Sequence, residues 1–278
     1  MTTMRQAPWL LLAGPILFFA AFFVAPLTVV LLASVTETKG GGLTLTHYAR
    51  VLGDAYHWEV LWTTLRISVA TTILSVFLGF PLAYYLVRIV SARWLRRVCI
   101  VLIIIPLFTS NIVRSFGWMV LLGRTGLVNE WLINVGIIDR PIRLLGTELG
   151  IVIGLVYILL PFVVLTVGNA LAAIDRTVEQ AAADLGARPL TVFMTITFPL
   201  ALPGLISGAL MVFTLAISAY VTPALLSSGR ITVFSILIFQ QYSSVFDFNY
   251  GGALSFTLLL ATLALVVAAS TFNPAWRR

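Results

Sequence analysis

The chain has 278 residues, of which 60% are hydrophobic and only 10% are charged, against about 25% charged in typical soluble domains. So few charges cannot cover the surface of a water-soluble particle, and the composition therefore excludes a soluble protein and indicates an integral membrane protein. The net charge of +7 lies in short clusters between long apolar runs. Because no continuous basic stripe forms, we do not expect a nucleic-acid partner.

Six apolar intervals between successive charges are long enough to cross a bilayer, which takes about 20 mainly apolar residues in a helix. In chain order the predicted spans are approximately residues 9–34, 63–87, 98–122, 149–173, 203–225 and 251–270. The connections are too short to hold an independent soluble domain. We therefore predict an all-α integral membrane protein with one domain over residues 1–278.

The first interval follows Arg5 and has no charge from Gln6 to Thr36. The apolar region of a signal peptide spans about 7–15 residues, so this longer run predicts a retained first helix. Ala33 leaves cleavage open as an alternative. Two outer connections, residues 36–62 and 123–148, are long enough for short helices on the membrane surface.

The arginines concentrate in alternate connections, which predicts the orientation. Cytoplasmic loops carry an excess of Lys and Arg; one set of connections has nine basic and three acidic residues, and the other has six basic and seven acidic residues. The basic residues of the first set are Arg5, Arg88, Arg93, Arg96, Arg97, Arg176, Arg188, Arg277 and Arg278. We therefore predict six crossings with both ends of the chain in the cytoplasm.

The inner loop over residues 174–199 differs from the other connections. Residues 177–185 are mostly good helix formers, and Gly186 suits the left-handed conformation just past a helix end. Pro189 can start a second helix, where its missing N–H does no harm. The loop therefore predicts a helix-turn-helix that protrudes from the membrane.

The same loop resembles the permease subunits of binding-protein-dependent ATP-binding-cassette importers. Their pattern is Glu-Ala-Ala, three residues, Gly, nine residues, Ile, one residue, Leu-Pro, and here Gly186, Ile196 and Pro199 match it at the expected spacing. Two positions depart from it: Gln180 stands for the glutamate and Phe198 for the leucine. The glutamine keeps hydrogen-bonding capacity without charge, and Glu179 could replace it only if the helix were rotated.

The resemblance implies a type I importer permease fold in which this loop is the coupling helix. Such a helix docks in a groove of a separate ATPase subunit, and ATP-driven closure of the ATPase pair moves the spans between inward-open and outward-open states. The residues implied to contact the ATPase are Glu179, Gln180, Ala181, Ala182, Asp184, Gly186 and Arg188.

The implied partners are a second permease subunit, two ATPase subunits, a periplasmic solute-binding protein and the lipid of a bacterial inner membrane. This chain has no G-x-x-x-x-G-K-[ST] phosphate loop. We therefore expect no cofactor in it and expect ATP and Mg²⁺ on the ATPase subunits. A heterodimer of permeases fits the resemblance better than a homodimer, which stays an alternative.

Within these permeases, residues 103–145, 154–162 and 174–204 look most like the spermidine and putrescine branch. The resemblance implies a small polar organic solute, first of all a polyamine. Related permeases serve opines, amino-acid derivatives and other small anionic or zwitterionic solutes, and these stay the alternative.

Polar side chains inside predicted spans are candidates for the solute pathway, because such groups are costly in lipid and usually face a protein interior or water. The candidates are Asn111, Arg114, Trp118, Asn169, Ser218 and Tyr220. Each is equally plausible as a packing contact between helices. A dication would favour acidic groups, and the predicted spans contain none, whereas Arg114 would favour an anionic or zwitterionic solute.

Two other classes of membrane protein fit this sequence less well. A membrane-embedded enzyme needs clustered His, Asp, Glu or Ser/Lys groups, but His47 and His57 lie outside the predicted spans and Cys99 stands alone. This pattern predicts neither catalysis nor a metal site. An ion-coupled secondary transporter would usually show acidic residues in the membrane and internal repeats, which this sequence lacks.

Overall fold

The computed structural model describes residues 7–37 and 41–271, and these residues are almost entirely helical. The helices are α1 (Ala7–Phe19), α2 (Ala25–Ser34), α3 (Thr46–Gly53), α4 (Ala55–Tyr84), α5 (Arg93–Ile104), α6 (Asn111–Leu121), α7 (Leu127–Asn134), α8 (Glu148–Ala173), α9 (Arg176–Asp184), α10 (Pro189–Val192), α11 (Phe198–Ile217), α12 (Val221–Leu226), α13 (Phe234–Gln240) and α14 (Phe248–Thr271). Single π-helical turns join α1 to α2 (Ala20–Val24) and α10 to α11 (Phe193–Thr197). Two more extend the ends of α4 and α13, and these are Tyr85–Ile89 and Gln241–Val245.

Five helical segments in the described part of the chain are long and apolar enough to cross a membrane. They are Leu12–Ser34, Ala55–Ile89, Glu148–Ala173, Pro189–Ile217 and Phe248–Ala269. A sixth crossing results if the bent pair Arg93–Phe108 and Asn111–Leu121 is one span. The all-α membrane fold expected from composition is confirmed.

The predicted third span, residues 98–122, is not a straight helix. Its two halves, Arg93–Phe108 and Asn111–Leu121, meet at an angle of 100°. Pro106 lies in a short 3₁₀ turn, Ile105–Phe108, where the ring removes one backbone donor. The Ser110 side chain then accepts a hydrogen bond from Ile112 N at 3.3 Å and starts a new helix in a new direction.

The predicted fifth span, residues 203–225, is also displaced. The helix is continuous from Pro189 to Ile217 and ends before residues 218–220. Pro223 cannot donate to the carbonyl of Ala219, and that carbonyl instead accepts a hydrogen bond from Ser235 Oγ at 2.7 Å. The chain therefore resumes as the separate short helix α12.

The second span starts earlier than expected, at Ala55 rather than residue 63. Asp54 ends α3 in an extended conformation, and its carboxylate accepts from Tyr56 N at 2.9 Å, which starts α4. Residues 55–62, expected in a surface segment, therefore extend the span. The short helices that form in the two connections predicted to be outer are α3 and α7.

The chain divides into two compact units. The first combines the segment that ends at Glu59 with Leu237–Ala261. In it the end of α2, α3 and the start of α14 are joined by polar contacts: Ser34 Oγ to Tyr48 Oη at 2.7 Å, and Asn249 Nδ2 to the carbonyls of Ala33 and Thr36 at 2.9 and 2.8 Å. His57 Nε2 bonds Tyr250 Oη at 2.7 Å, which gives this histidine a structural role.

The second unit combines Val60–Ile236 with the segment that begins at Thr262, and α8 is its centre. Thirteen residues of α8 are buried. Helix α11 approaches it through Gly204 and Gly208, where an added Cβ would collide with Ala170 and with the Thr166 hydroxyl. Small residues four apart let transmembrane helices pack backbone to backbone, so these glycines fix α11 against α8.

Candidate functional site: a loop helix and a cavity between broken helices

The predicted helix-turn-helix is present in the loop between α8 and α11. Asp175 caps the start of α9, where its carboxylate accepts from Thr177 N at 2.9 Å. These hydrogen bonds from Thr177, first from the backbone and then from the side chain, hold the pKa of the Asp175 carboxyl below its usual range. The cap therefore favours the charged carboxylate.

The C-terminus of α9 is closed by Gly186 in the left-handed region, with φ of +86°. The N–H of Ala187 donates to the carbonyl of Ala182 at 3.1 Å, and the N–H of Gly186 donates to that of Ala183 at 2.9 Å. This pair of bonds is the Schellman arrangement that ends a helix. Pro189 then occupies the first turn of α10, as predicted.

Glu179 points toward the chain's own spans rather than away from them. Its Oε1 lies 3.1 Å from Arg88 Nη2 and accepts from Thr197 Oγ1 at 2.7 Å. Two further bonds join the loop to the π-helical turn after α4: Arg88 Nη2 to the carbonyl of Ile174 at 3.2 Å, and Arg176 Nη2 to that of Val87 at 2.8 Å. Glu179 is thus the anchor that ties α9 to the spans.

The other predicted coupling residues present an exposed surface. Ala182 is half-buried, and the remaining ones, Gln180, Ala181, Asp184, Gly186 and Arg188, are exposed. The sequence did not single out the large apolar side chains around them, although Leu185 is 90% exposed and Leu190 is 69% exposed. Two bulky apolar side chains are therefore exposed beside the predicted coupling residues.

The second part of the site is a cavity of about 520 Å³ between α6, α8 and the break between α11 and α12. Four of the predicted pathway residues line it: Asn111, Arg114, Ser218 and Tyr220. Both breaks in the spans open onto it, since Thr109 and Ala219 are also in its wall. Irregular backbone at membrane depth is tolerated where it lines a cavity.

Arg114 brings positive charge to this cavity. One of its nitrogens, Nη2, donates to Asn111 Oδ1, while Nε and Nη1 are buried without a hydrogen-bond partner among the described residues. Of the described residues that line the cavity, none is acidic. Buried donors without partners favour a ligand that supplies acceptors.

Two predicted pathway residues lie elsewhere. Trp118 packs edge to face on Tyr157, with ring centroids 5.4 Å apart. Asn169 lines a separate cavity of about 180 Å³ beside Arg96. Thr222 was not among the predicted pathway residues, although it lines the main cavity and its hydroxyl bonds Ser115 Oγ at 3.0 Å. The signal available in the sequence was its position beside Pro223, which interrupts a helix.

No group of three or more His, Cys, Asp or Glu side chains placed to hold a metal ion occurs in residues 7–37 and 41–271. Apolar spans with an exposed loop helix and a cavity at two helix breaks are typical of a membrane transport subunit.

Comparison with known proteins identifies the class more closely. Residues 75–273 match the family described as the inner membrane component of binding-protein-dependent transport systems. The chain is 34% identical over 217 residues to the spermidine/putrescine transport system permease protein PotB of Salmonella typhimurium, covering 78% of this chain and 75% of that protein. It is 32% identical over 253 residues to PotB of Haemophilus influenzae, covering 88% and 87%.

The fold also matches a permease chain of a bacterial transporter that imports the acidic polysaccharide alginate. The TM-score is 0.80 at 16% sequence identity, over 96% of this chain and 95% of that one. The chain belongs to the family of binding-protein-dependent transport system inner membrane components. It is a multi-pass permease subunit of an ABC importer in the bacterial inner membrane.

Proposed function

We propose that this chain works with a second permease subunit, two separate ATPase subunits and a periplasmic solute-binding protein, and that α9 and α10 transmit ATPase movement to the spans. The observation that carries the proposal is that one side of the loop helix contacts the spans while the other side is exposed. Glu179 ties the helix to its own spans through Arg88, while Gln180, Ala181 and Leu185 stay exposed. A helix that transmits movement needs a rigid contact with its own spans and a free surface that the ATPase can bind.

Both ends of the chain are cytoplasmic in this proposal, and α9 projects into the cytoplasm, where ATP is available. The excess of arginine on this side supports the orientation. ATP and Mg²⁺ belong to the ATPase subunits, because this sequence has no phosphate-binding loop.

The solute that we propose first is a polyamine, because relatives that are 32–34% identical and cover 78–88% of this chain are spermidine/putrescine permeases. Phe162 and Tyr220 in the cavity wall offer aromatic faces to an ammonium group. In such importers the binding protein delivers the solute, so the cavity needs only to let it pass.

A second candidate is a small solute that carries a carboxylate, such as an opine or an amino-acid derivative. The specific observation in its favour is Arg114, whose Nε and Nη1 lack partners within the described structure. A guanidinium pairs with a carboxylate through two parallel hydrogen bonds, whereas it repels a polyamine.

Uptake by the reconstituted transporter separates the two candidates. Vesicles that hold this chain with its partner permease and ATPase, with ATP inside and the cognate binding protein outside, are given labelled spermidine, putrescine or an opine. A polyamine importer accumulates spermidine or putrescine, and Arg114→Gln leaves this uptake unchanged or raises it. A carboxylate importer accumulates the opine, and Arg114→Gln lowers this uptake at least tenfold.

The matched control is Arg97→Gln, which removes the same charge from an exposed position outside the cavity. This variant should change neither polyamine uptake nor opine uptake by more than about twofold. Accumulation driven by an ion gradient without ATP would contradict the proposed function for either solute.

A further inference from the structure

Two cavities meet at Arg96, where α4 and α8 end and α5 begins beside the loop. One is an apolar slot of about 180 Å³, with Leu86, Ile100 and Leu165 in its wall. The other is a polar basin of about 350 Å³ with Arg88 and Arg176 in its wall. Val87, Arg96 and Ala172 line both. The apolar slot therefore continues into the basic basin.

The arginines of the basin are held in place by backbone carbonyls. Arg96 Nη2 donates to the carbonyl of Val90 at 2.8 Å, and Arg176 Nη2 donates to that of Val87 at 2.8 Å. The Arg88 side chain is only 7% exposed. The Nε atoms of Arg88 and Arg96 are buried and have no hydrogen-bond partner in the described structure. These bonds fix the side chains and leave donors for an acceptor from outside the chain.

The charge around the basin is positive after its acids are counted. Glu179 is paired with Arg88, and Asp175 lies in the basin wall, where it caps α9. Two exposed arginines, Arg93 and Arg97, follow on the first turns of α5, beside Trp94, which is 69% exposed. At the basin itself, three arginines thus meet two acids. An exposed tryptophan among arginines at the end of a span is typical of the headgroup level of a membrane.

The geometry points to a binding site for an anionic phospholipid, with the phosphate of the headgroup in the Arg88, Arg96 and Arg176 basin and the start of an acyl chain in the apolar slot. A free phosphate would leave the slot empty, and a zwitterionic lipid would add a cation to a region that is already positive. Basic pockets between transmembrane helices on the cytoplasmic side are a known mode of anionic lipid recognition.

The site would also affect transport, and this consequence rests on the proposed function. Arg88 belongs both to the basin and to the ion pair with Glu179. A bound phosphate would hold Arg88 and Arg176 in place and so stiffen the anchor of α9. The lipid site itself is tested by binding, independently of transport.

Native mass spectrometry of the purified complex in detergent, titrated with phosphatidylglycerol or phosphatidylcholine, tests the proposal. We expect at least tenfold tighter binding of phosphatidylglycerol, loss of that preference in Arg96→Ala, and weaker binding in Ala172→Phe, which fills the slot but keeps all the arginines. Arg97→Ala removes the same charge from an exposed position on the same helix and should stay within about twofold of the wild type.

Equal binding of the two lipids, or an Arg97→Ala effect as large as that of Arg96→Ala, would overturn the proposal. Inorganic phosphate at millimolar concentration should not displace the lipid; full displacement would show a simple anion site and would overturn the lipid assignment. If Arg96→Ala fails to fold, Ala172→Phe alone decides, and unchanged binding in that variant contradicts the site.

Discussion

Arg88, at the end of the second span, lies 3.1 Å from the carboxylate of Glu179 in the loop helix, and both side chains are largely buried. This pair explains the departure from the family pattern. The charge that the pattern would place at residue 180 is carried one residue earlier, where it faces the chain's own spans. Gln180 is left on the exposed face.

Removing the Glu179 carboxylate should therefore loosen the loop rather than remove an ATPase contact. Glu179→Ala leaves the buried Arg88 guanidinium without its counter-charge, which we expect to cost about 2 kcal/mol of stability. The checks are thermal unfolding of the purified chain and the ratio of solute imported to ATP hydrolysed. The unfolding temperature should fall by several degrees, and the ratio should fall several-fold.

The control is Asp184→Ala, which removes a carboxylate from an exposed position of the same helix. We expect it to leave the unfolding temperature within about one degree of the wild type. If Asp184→Ala destabilises the chain as much as Glu179→Ala does, the pair with Arg88 has no special role.

Leu185 should be part of the surface that the ATPase covers. At 90% exposure it contributes almost nothing to the fold of the isolated chain, so Leu185→Asp should leave thermal unfolding unchanged. In the complex, a buried unpaired carboxylate is costly, and co-purification with the ATPase should fall at least tenfold. Leu43→Asp is the matched control, because Leu43 is 83% exposed in the connection between α2 and α3. Equal loss of ATPase in both variants would argue against a specific docking face.

Several elements could be predicted from local sequence because their signals are local. The predicted spans 9–34, 149–173 and 251–270 agree within three residues with Leu12–Ser34, Glu148–Ala173 and Phe248–Ala269. The helix-turn-helix was equally predictable, because Gly186 and Pro189 act on their immediate neighbours.

The features that were missed depend on distant residues. The break after Ile217 involves a carbonyl that Ser235 occupies, and the inward turn of Glu179 depends on Arg88 and Thr197. Periodicity and composition do not reveal such partners. For the same reason the sequence could propose Asn111, Arg114, Ser218 and Tyr220 together with Trp118 and Asn169, but could not say which four share a cavity.

The conformation of Gly186 should set the direction of α10. Open space surrounds this residue, but its φ of +86° disfavours any side chain, so Gly186→Ala should cost about 1 kcal/mol through the backbone alone. We expect a reduced ratio of transport to ATP hydrolysis with little change in ATPase binding. Gly53→Ala adds the same methyl group in open space without a positive φ and should be neutral or slightly stabilising. A neutral Gly186→Ala would show that this turn is not needed for coupling.

The cap at Asp175 predicts a dependence on pH. The pKa of this carboxyl is lowered in the folded chain. The stabilisation that the charged carboxylate gives to α9 is therefore present above the unfolded pKa of about 3.9, and it is lost as the pH falls through the folded pKa. Hydrogen-exchange protection of α9 should therefore be constant between about pH 5 and 8 and fall below about pH 4, after correction for intrinsic exchange. Asp175→Asn still caps the helix but does not titrate in this range, so it should abolish the loss of protection at low pH. If the loss persists in this variant, another group causes it.

The most direct test of the central claim is ATP-driven uptake by vesicles that contain the complete transporter, with this chain either intact or lacking residues 179–186. The intact chain should support uptake that requires both ATP and the binding protein. The shortened chain should still insert beside its partner permease but should lose uptake and the stimulation of ATP hydrolysis by the binding protein. Uptake at the intact level without these residues would contradict the role of the loop as the coupling element.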